Sequence, residues 1–189
     1  RRGPLTISAA QAGAFVRSSP HVDAPDIQFL FQTFSHDEYD EGLHNFSGFA
    51  NVVCPLRPES RGRLSLRSSD PNAAPLMQPN YLSAQADRTL LVEALKIARK
   101  VAQQPQIAAH ITEEYAPGRH TVSDAELLDY ARRTGLSIAH QVGTCKMGTD
   151  PMAVVDPTLR VRGLDGLRVI DASVMPTLIS GNTNAPTIM

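Results

Sequence analysis

The sequence contains no tryptophan, two cysteines and a formal net charge of -1 over its 189 residues. Without tryptophan, an aromatic cage for a quaternary ammonium group would depend on Phe and Tyr side chains. Cys54 and Cys145 are too few for a disulfide framework or a cysteine metal cage, and they predict a reduced, cytoplasmic setting. The nearly neutral charge gives no electrostatic reason to expect nucleic acid as a partner.

Two further absences concern membranes and dinucleotides. No apolar run approaches the roughly 18–20 residues needed to span a bilayer, so membrane association is not indicated. The chain begins with Arg1 rather than Met and shows no signal-peptide pattern. No GxGxxG follows a predicted strand, although this loop holds a dinucleotide pyrophosphate at a helix N-terminus.

What is present in the first part of the chain is an alternation of short strands and turns. Period-two patterns predict strands at 27–32, 49–56 and 63–68, whereas 9–16 reads as a short helix and 70–86 as an irregular connection. Short turns between successive strands indicate antiparallel pairing, because neighbouring parallel strands need long crossover connections. The sequence therefore predicts an antiparallel sheet.

Two amphipathic helices follow. The first has Asp87 as its expected N-cap, an apolar face that includes Leu90 and Ala94, and a stop before Pro105. The second opens with the capping box 123–126 and closes before Gly135. We expect both helices to cover one face of the sheet, which gives an α+β fold.

Two clusters of charged residues could be read as a metal site and an anion site, but we favour a structural role for both. The acidic stretch 35–42 with His36 and His44 has no metal-ligand spacing, so we predict a solvated loop and no metal site. Four arginines lie on or beside the alternating strand at 63–68, and we expect them on its solvated face rather than in an anion site: Arg57, Arg61, Arg63 and Arg67.

The most distinctive stretches lie near the end of the chain. His140 begins the run HQVGTCKMG at 140–148, and Asn184 lies within SGNTNAPT at 180–187. Histidine accepts a proton near neutral pH, and an amide both donates to an oxygen and accepts from a hydroxyl. This pair suits removal of a proton from an alcohol, but by itself it names no reaction.

Three motifs in order carry a resemblance to a known family. The runs HxxGTCxMG at 140–148, GLxGLRVxDASVMP at 163–176 and SGNTNAPT at 180–187 together resemble the C-terminal part of a glucose–methanol–choline (GMC) oxidoreductase. Weaker similarities extend back through 79–82, 70–71, 57–62 and 3–6. The resemblance implies a flavoprotein that binds FAD, and the absent GxGxxG implies that an N-terminal FAD-binding region precedes this chain in a longer parent.

The resemblance also implies a division of the chain. Residues 1–148 would form the α+β substrate-binding domain, and 149–189 would be the C-terminal segment of the α/β FAD-binding domain. The run 167–171 reads as a buried strand of that domain. Without the rest of its sheet, we expect the tail 149–189 to be mobile or to pack on a partner chain, and the chain alone to bind no FAD tightly.

Site roles follow from the resemblance residue by residue. His140 and Asn184 correspond to the family's catalytic pair, in which the second residue is His or Asn. Asp171, Ala172, Asn182, Pro186 and Thr187 correspond to positions around the flavin. Asn184 and Pro186 also fit the start of a helix whose positive end would face the flavin, and Asp171 alone would fit an N-cap. Cys145 reads as ordinary packing.

The implied activity is oxidation of a primary alcohol, choline among the candidates, to the aldehyde, with His140 as the base. Two alternatives stay open: an FAD-containing hydroxynitrile lyase of the same family, and a non-catalytic isolated fragment. Photodecarboxylases of the family lack this histidine, so His140 counts against them. Whether the enzyme is an oxidase or a dehydrogenase does not follow from the sequence.

Overall fold

The computed structural model describes residues 9–37 and 42–189, so the similarity at 3–6 lies outside the described residues, as does most of the acidic part of the loop at 35–42. The described chain divides into two compact units. The first holds the residues up to Pro55 together with Thr89–Arg133, and the second holds Leu56–Arg88 with Thr134–Met189. The boundary at residue 148 stays a prediction.

A three-stranded antiparallel sheet forms one layer of the first unit. Its strands are β1 (Ala10–Val16), β2 (Ile27–Gln32) and β3 (Ala50–Pro55), in the order β1-β2-β3. Ile27 pairs with Val16 on one side and with Pro55 on the other, so β2 is the central strand. The predicted strands at 27–32 and 49–56 are confirmed.

The helix predicted at 9–16 is wrong, because this segment is the edge strand β1. Its alanines favour a helix, but pairing with β2 outweighs local propensity. Gly13 lies opposite Leu30, and a Cβ on Gly13 would come within 3.0 Å of the Phe29 carbonyl oxygen. The strand therefore approaches its neighbour closely at a position where any side chain would be crowded.

Helix α1 (Gln85–Ala102) covers the sheet. Ala94 is fully buried with Ile27 and Phe29. The strands add Val16 and Val53 to this core. The helix contributes side chains at helical spacing, so helix and sheet share one core. The helical members are Leu90, Ala94, Ile97 and Ala98. The predicted apolar face is confirmed at its centre, but Val101 is exposed whereas Val92 is buried.

Helices α2 (Pro105–Ala108) and α3 (Asp124–Thr134) follow. Pro105 stands at the start of α2 rather than only ending α1. The predicted capping box of α3 is confirmed, since the Ser123 N–H donates to the Glu126 carboxylate at 2.8 Å and the Glu126 N–H donates back to Ser123 Oγ at 3.3 Å. Lys96 of α1 contacts Asp124 at 2.8 Å, which joins the two helices.

The loop after β2 is more ordered around His44 than a solvated loop would be. Its side chain is 15% exposed, with Nδ1 2.9 Å from Ser35 Oγ and Nε2 3.2 Å from Asp37. The rings of Phe46 and Tyr115 pack against it at 4.5 and 5.0 Å. The expectation of a solvated loop is therefore wrong at His44. In the described ranges, no three His, Cys, Asp or Glu side chains are placed to share a metal ion.

The second unit begins with a two-stranded antiparallel sheet. Strand β4 (Arg63–Ser65) pairs with β5 (Leu76–Gln78). The predicted strand at 63–68 is thus half its expected length, and the predicted connection at 70–86 contains a strand. The pair leaves Leu64 and Met77 exposed.

Asp87 is not the N-cap of α1, which begins two residues earlier. Its carboxylate instead accepts the backbone N–H groups of Glu59 at 2.7 Å and Ser60 at 2.8 Å. Burial alone would raise the pKa of Asp87, but the hydrogen bonds from Ser60 and Glu59 outweigh burial and hold the pKa below its usual value. Asp87 therefore fastens the turn at 58–60 to the first turn of the helix.

The end of the chain holds a short 3-10 helix (Ala172–Val174) and helix α4 (Asn184–Ile188). Isolated bridges lie earlier in this part of the chain, one of which joins Val155 to Val161. The segment 167–171 forms no named strand in the described chain, and Leu167 and Ile170 are 49% and 71% exposed, so its burial in the sheet of a longer protein stays a prediction. The described residues of this chain provide that segment with no sheet to join.

The described elements give antiparallel sheets with helices, so the predicted α+β class is confirmed. No helix among the described residues has both the length and the apolar character needed to cross a membrane.

Candidate active site

The three sequence motifs meet in the second unit. The backbone N–H of Cys145 donates to the Ser173 carbonyl at 3.0 Å, and that of Met147 donates to the Val174 carbonyl at 2.8 Å. These bonds tie the first motif, 140–148, to the second motif, 163–176. Val155 and Val174 are buried below them. The tail 149–189, which we expected to be mobile or to pack on a partner chain, thus contacts the first motif of its own chain.

Two backbone positions shape the first motif. Gly143 has a φ of +90°, and a Cβ there would lie 3.5 Å from the Met175 carbonyl oxygen. Ala139, directly before the histidine, also has a positive φ, of 59°. This left-handed conformation is unfavourable for a residue with a Cβ, and such strain tends to occur at functional sites. The turn into His140 is thus held by its surroundings.

His140 contacts the third motif through both ring nitrogens. Asn182 Nδ2 lies 2.7 Å from Nε2, and Thr183 Oγ1 lies 3.0 Å from Nδ1. With the amide nitrogen of Asn182 facing the ring, Nε2 accepts, because an amide nitrogen only donates. A neutral ring whose Nε2 accepts carries its proton on Nδ1, which then donates to Thr183. The histidine is half-buried and Asn182 is exposed, so the basic nitrogen is close to the surface of the unit.

The segment 180–183, which carries these two partners, is anchored at both ends. Arg57 Nη1 donates to Ser180 Oγ at 2.7 Å. At the other end, the Thr183 carbonyl accepts from Thr187 Oγ1 at 2.6 Å and from the Thr187 N–H at 3.1 Å. Arg57 was expected on a solvated face, so its hydrogen bond to Ser180 is a role that the sequence reasoning missed.

The structure does not bring Asn184 to His140. Asn184 is the first residue of α4 and is exposed, and the two residues before it make the contacts to the ring. A catalytic role for Asn184 stays a prediction. Thr183 was not among the predicted site residues, although its position between two candidate asparagines was a signal that could have identified it.

The remaining predicted positions lie close by in the chain. Asp171 is the N-cap of the 3-10 helix, and it accepts the Ser173 N–H at 2.8 Å. Hydrogen bonds from the side chain and the backbone of Ser173 lower the pKa of the Asp171 carboxyl. Ala172 begins the 3-10 helix, while Pro186 and Thr187 lie within α4.

A residue from an earlier part of the chain also reaches the first motif. Gln141, next to the histidine, donates from Nε2 to Tyr81 Oη at 3.2 Å and to Ser137 Oγ at 2.6 Å. Tyr81 belongs to the weaker similarity at 79–82 and is 60% exposed. An aromatic side chain therefore stands beside the histidine segment.

Three predicted positions carry side chains of the kinds that pair with a flavin ring edge. Asn182, Asp171 and Thr187 provide an amide, a carboxylate and a hydroxyl, and the Thr187 hydroxyl donates to the Thr183 carbonyl. The other end of FAD, its pyrophosphate, needs a glycine-rich loop that this sequence lacks. A cofactor role for these three residues therefore stays a prediction.

Comparisons with known proteins bear on the family of the chain. A family model described as GMC oxidoreductase matches residues 58–189. An alcohol dehydrogenase [acceptor] of Pseudomonas putida is 44% identical over all 189 residues, which cover 34% of that protein. An oxygen-dependent choline dehydrogenase of Acinetobacter baumannii is 41% identical over 95% of this chain and 32% of its own length.

A solved structure shows the same fold. The crystal structure of pyridoxine 4-oxidase from Mesorbium loti superimposes with a TM-score of 0.81 and 29% identity, over 93% of this chain and 35% of that one. The chain spans about a third of the length of the curated relatives it matches. Since the family model covers more than half of its residues, the chain belongs to the GMC oxidoreductase family of flavoproteins.

Proposed function

We propose that this chain is the C-terminal part of an FAD-dependent enzyme that oxidises a primary alcohol to the aldehyde. The observation that carries the proposal is the His140 ring, whose Nε2 accepts a hydrogen bond from Asn182 at 2.7 Å close to the surface. An unprotonated imidazole nitrogen in this position is a general base for a hydroxyl proton. Hydride acceptance from the alcohol carbon is the chemistry that FAD supplies when bound.

The proposed step balances when the hydride is transferred to bound FAD. The alcohol O–H bond breaks and its proton moves to His140 Nε2, while a C–H bond breaks with its electron pair and the C=O bond of the aldehyde forms. In the present structure Asn182 donates to Nε2. When an alcohol hydroxyl donates to Nε2 instead, the Asn182 amide can donate to the alcohol oxygen. One exchanged hydrogen bond thus places the substrate and keeps the amide satisfied.

Asp171, Ala172, Asn182, Pro186 and Thr187 would hold the reacting end of the cofactor. Asp171 is exposed. The hydrogen bonds from Ser173 lower the pKa of its carboxyl, so the group is ionised near neutral pH. In this proposal the N-terminal region of the longer protein supplies the pyrophosphate loop, and residues 149–189 complete the FAD-binding domain while 1–148 form the substrate domain.

The substrate class rests on the named relatives. The relative at 44% identity is an alcohol dehydrogenase [acceptor], and that at 41% is a choline dehydrogenase. Choline is itself a primary alcohol, so both names fit one reaction. Tyr81 is an aromatic side chain that this chain places beside the histidine segment, so choline stays among the candidate primary alcohols.

The test is anaerobic mixing of the whole protein with a panel of primary alcohols that includes choline, followed by the flavin absorption band. Bleaching by an alcohol supports the proposal. A flavin that stays oxidised while a cyanohydrin is cleaved would establish the hydroxynitrile lyase alternative. A whole protein that binds no flavin would contradict the proposal outright.

The two asparagines form a matched pair for testing the site. Asn182→Ala should slow flavin reduction about fivefold, the effect of one lost hydrogen bond of roughly 1 kcal/mol. Asn184→Ala should have a smaller effect, because this exposed side chain lies outside the contacts to His140. Stopped-flow reduction rates of both variants decide between them. A larger loss for Asn184→Ala would restore Asn184 as the catalytic partner.

A further inference from the structure

We infer that Thr183 is a positioning residue that fixes the tautomer of His140, with the proton on Nδ1 and the lone pair on Nε2. The inference rests on the proposed function, in which Nε2 receives the substrate proton. Its geometric basis is the distance of 3.0 Å between Thr183 Oγ1 and His140 Nδ1. The opposite nitrogen, Nε2, faces the Asn182 amide at 2.7 Å.

The hydroxyl of Thr183 contacts His140 instead of capping the helix that follows it. Thr183 is the N-cap residue of α4, a position where threonine usually accepts a backbone N–H of its own helix. Here its side chain makes no capping hydrogen bond, and it contacts the imidazole ring instead. A helix end left without its cap is less stable, so a purely structural threonine would be expected to cap.

Thr183 is also held rigidly enough to orient a ring. It is 7% exposed, and its carbonyl oxygen accepts two hydrogen bonds from Thr187, from Oγ1 at 2.6 Å and from the N–H at 3.1 Å. Arg57 anchors the same segment through Ser180 at 2.7 Å. A group that orients another must itself be fixed, and these contacts fix Thr183.

The tautomer matters because the two ring nitrogens perform different tasks. A neutral imidazole in water prefers its proton on Nε2, and His140 in that form would present a donor to the alcohol hydroxyl instead of a base. The partner of one nitrogen decides the state of the other. The Asn182 amide nitrogen can only donate to Nε2, so the Thr183 hydroxyl, which can donate or accept, acts as the acceptor for Nδ1–H, and together they select the form that can take the proton.

The test begins with the 189-residue chain labelled with ¹⁵N-histidine. Two-bond ¹H–¹⁵N correlation spectra at a pH where the ring is neutral distinguish a protonated from an unprotonated nitrogen. The sequence has six histidines, and loss of a signal in His140→Gln assigns the relevant ring. We expect Nδ1 to be protonated and Nε2 unprotonated. A wild-type spectrum with the proton on Nε2 overturns the inference without any Thr183 variant.

The variants separate the hydroxyl from the shape of the side chain. Thr183→Val keeps the shape and removes the hydroxyl, so the Nε2–H form should appear, whereas Thr183→Ser should retain the Nδ1–H form. Thr177→Val, an exposed threonine in the preceding segment, is the matched control and should leave the spectrum unchanged. A Thr183→Val spectrum that still shows only Nδ1–H contradicts the inference.

The same variants in the whole protein connect the tautomer to the reaction. Thr183→Val should lower the limiting rate of flavin reduction about tenfold with little change in the alcohol concentration that gives half the limiting rate, and Thr183→Ser should restore most of the rate. If the spectra are as expected but no alcohol reduces the flavin, the proposed function fails while the tautomer assignment stands. If alcohols reduce the flavin but wild-type His140 carries its proton on Nε2, only the role of Thr183 fails.

Discussion

His140→Ala in the whole protein should slow flavin reduction by alcohol by about two to four orders of magnitude, the usual loss when a general base is removed. The expected size follows from the position of Nε2, which accepts the amide of Asn182 at 2.7 Å near the surface of its unit. Asn182 cannot replace it, because an amide does not take up a proton near neutral pH. Stopped-flow absorbance under anaerobic conditions measures this rate directly.

The variant should keep its flavin, since the proposed cofactor contacts do not include the His140 ring. Added imidazole should restore part of the lost rate, because it replaces the missing base without repairing any fold defect. His110→Ala, which removes an exposed histidine from the other unit, is the matched control and should reduce normally. Near-normal reduction by His140→Ala would remove this residue from the role of base.

The parts of the fold that the sequence predicted are those determined by local patterns. The period-two alternation around Ile27 gave strand β2, and the Ser123–Glu126 pair gave the start of α3, where both reciprocal hydrogen bonds form. In each case the residues that stabilise the element are within a few positions of one another. Such elements can be identified without knowing what they pack against.

The wrong predictions concern elements whose structure depends on residues distant in the sequence. β1 is a strand because β2 offers it an edge, although its own alanines favour a helix. Asp87 has the residue type of an N-cap, but its carboxylate binds the N–H groups of Glu59 and Ser60, which are 28 and 27 positions earlier in the chain. The pairing of β1 with β2 and the hydrogen bonds of Asp87 both depend on residues far away in the sequence. A short stretch of sequence therefore does not predict them.

The candidate site was also predicted only in part. Motif order predicted that His140 and the run 180–187 belong to one site, and the structure brings them together. The resemblance paired His140 with Asn184, whereas Asn182, two positions earlier and just before α4, contacts the ring. Side-chain direction there depends on the anchors at Ser180 and Thr187 rather than on a helical or strand period.

The core of the first unit gives the second large prediction, which is that Ile27→Ala should destabilise this unit by about 2–5 kcal/mol. Ile27 is 0% exposed at the start of the central strand and packs with Phe29 and Ala94 of α1. Truncation removes buried methyl and methylene groups and leaves a cavity between sheet and helix. The small Ala94 side chain cannot fill that space, so we expect a cost in the upper half of the range.

Denaturant unfolding of the 189-residue chain, followed by far-UV circular dichroism, measures this loss as a lower midpoint for the transition of the first unit. Ile170→Ala is the matched control, since it deletes the same atoms from a side chain that is 71% exposed, and its effect should stay within about 0.5 kcal/mol. The contrast between two isoleucines isolates burial from residue type. Equal midpoints for the two variants would mean that Ile27 does not form the centre of the contact between the sheet and α1.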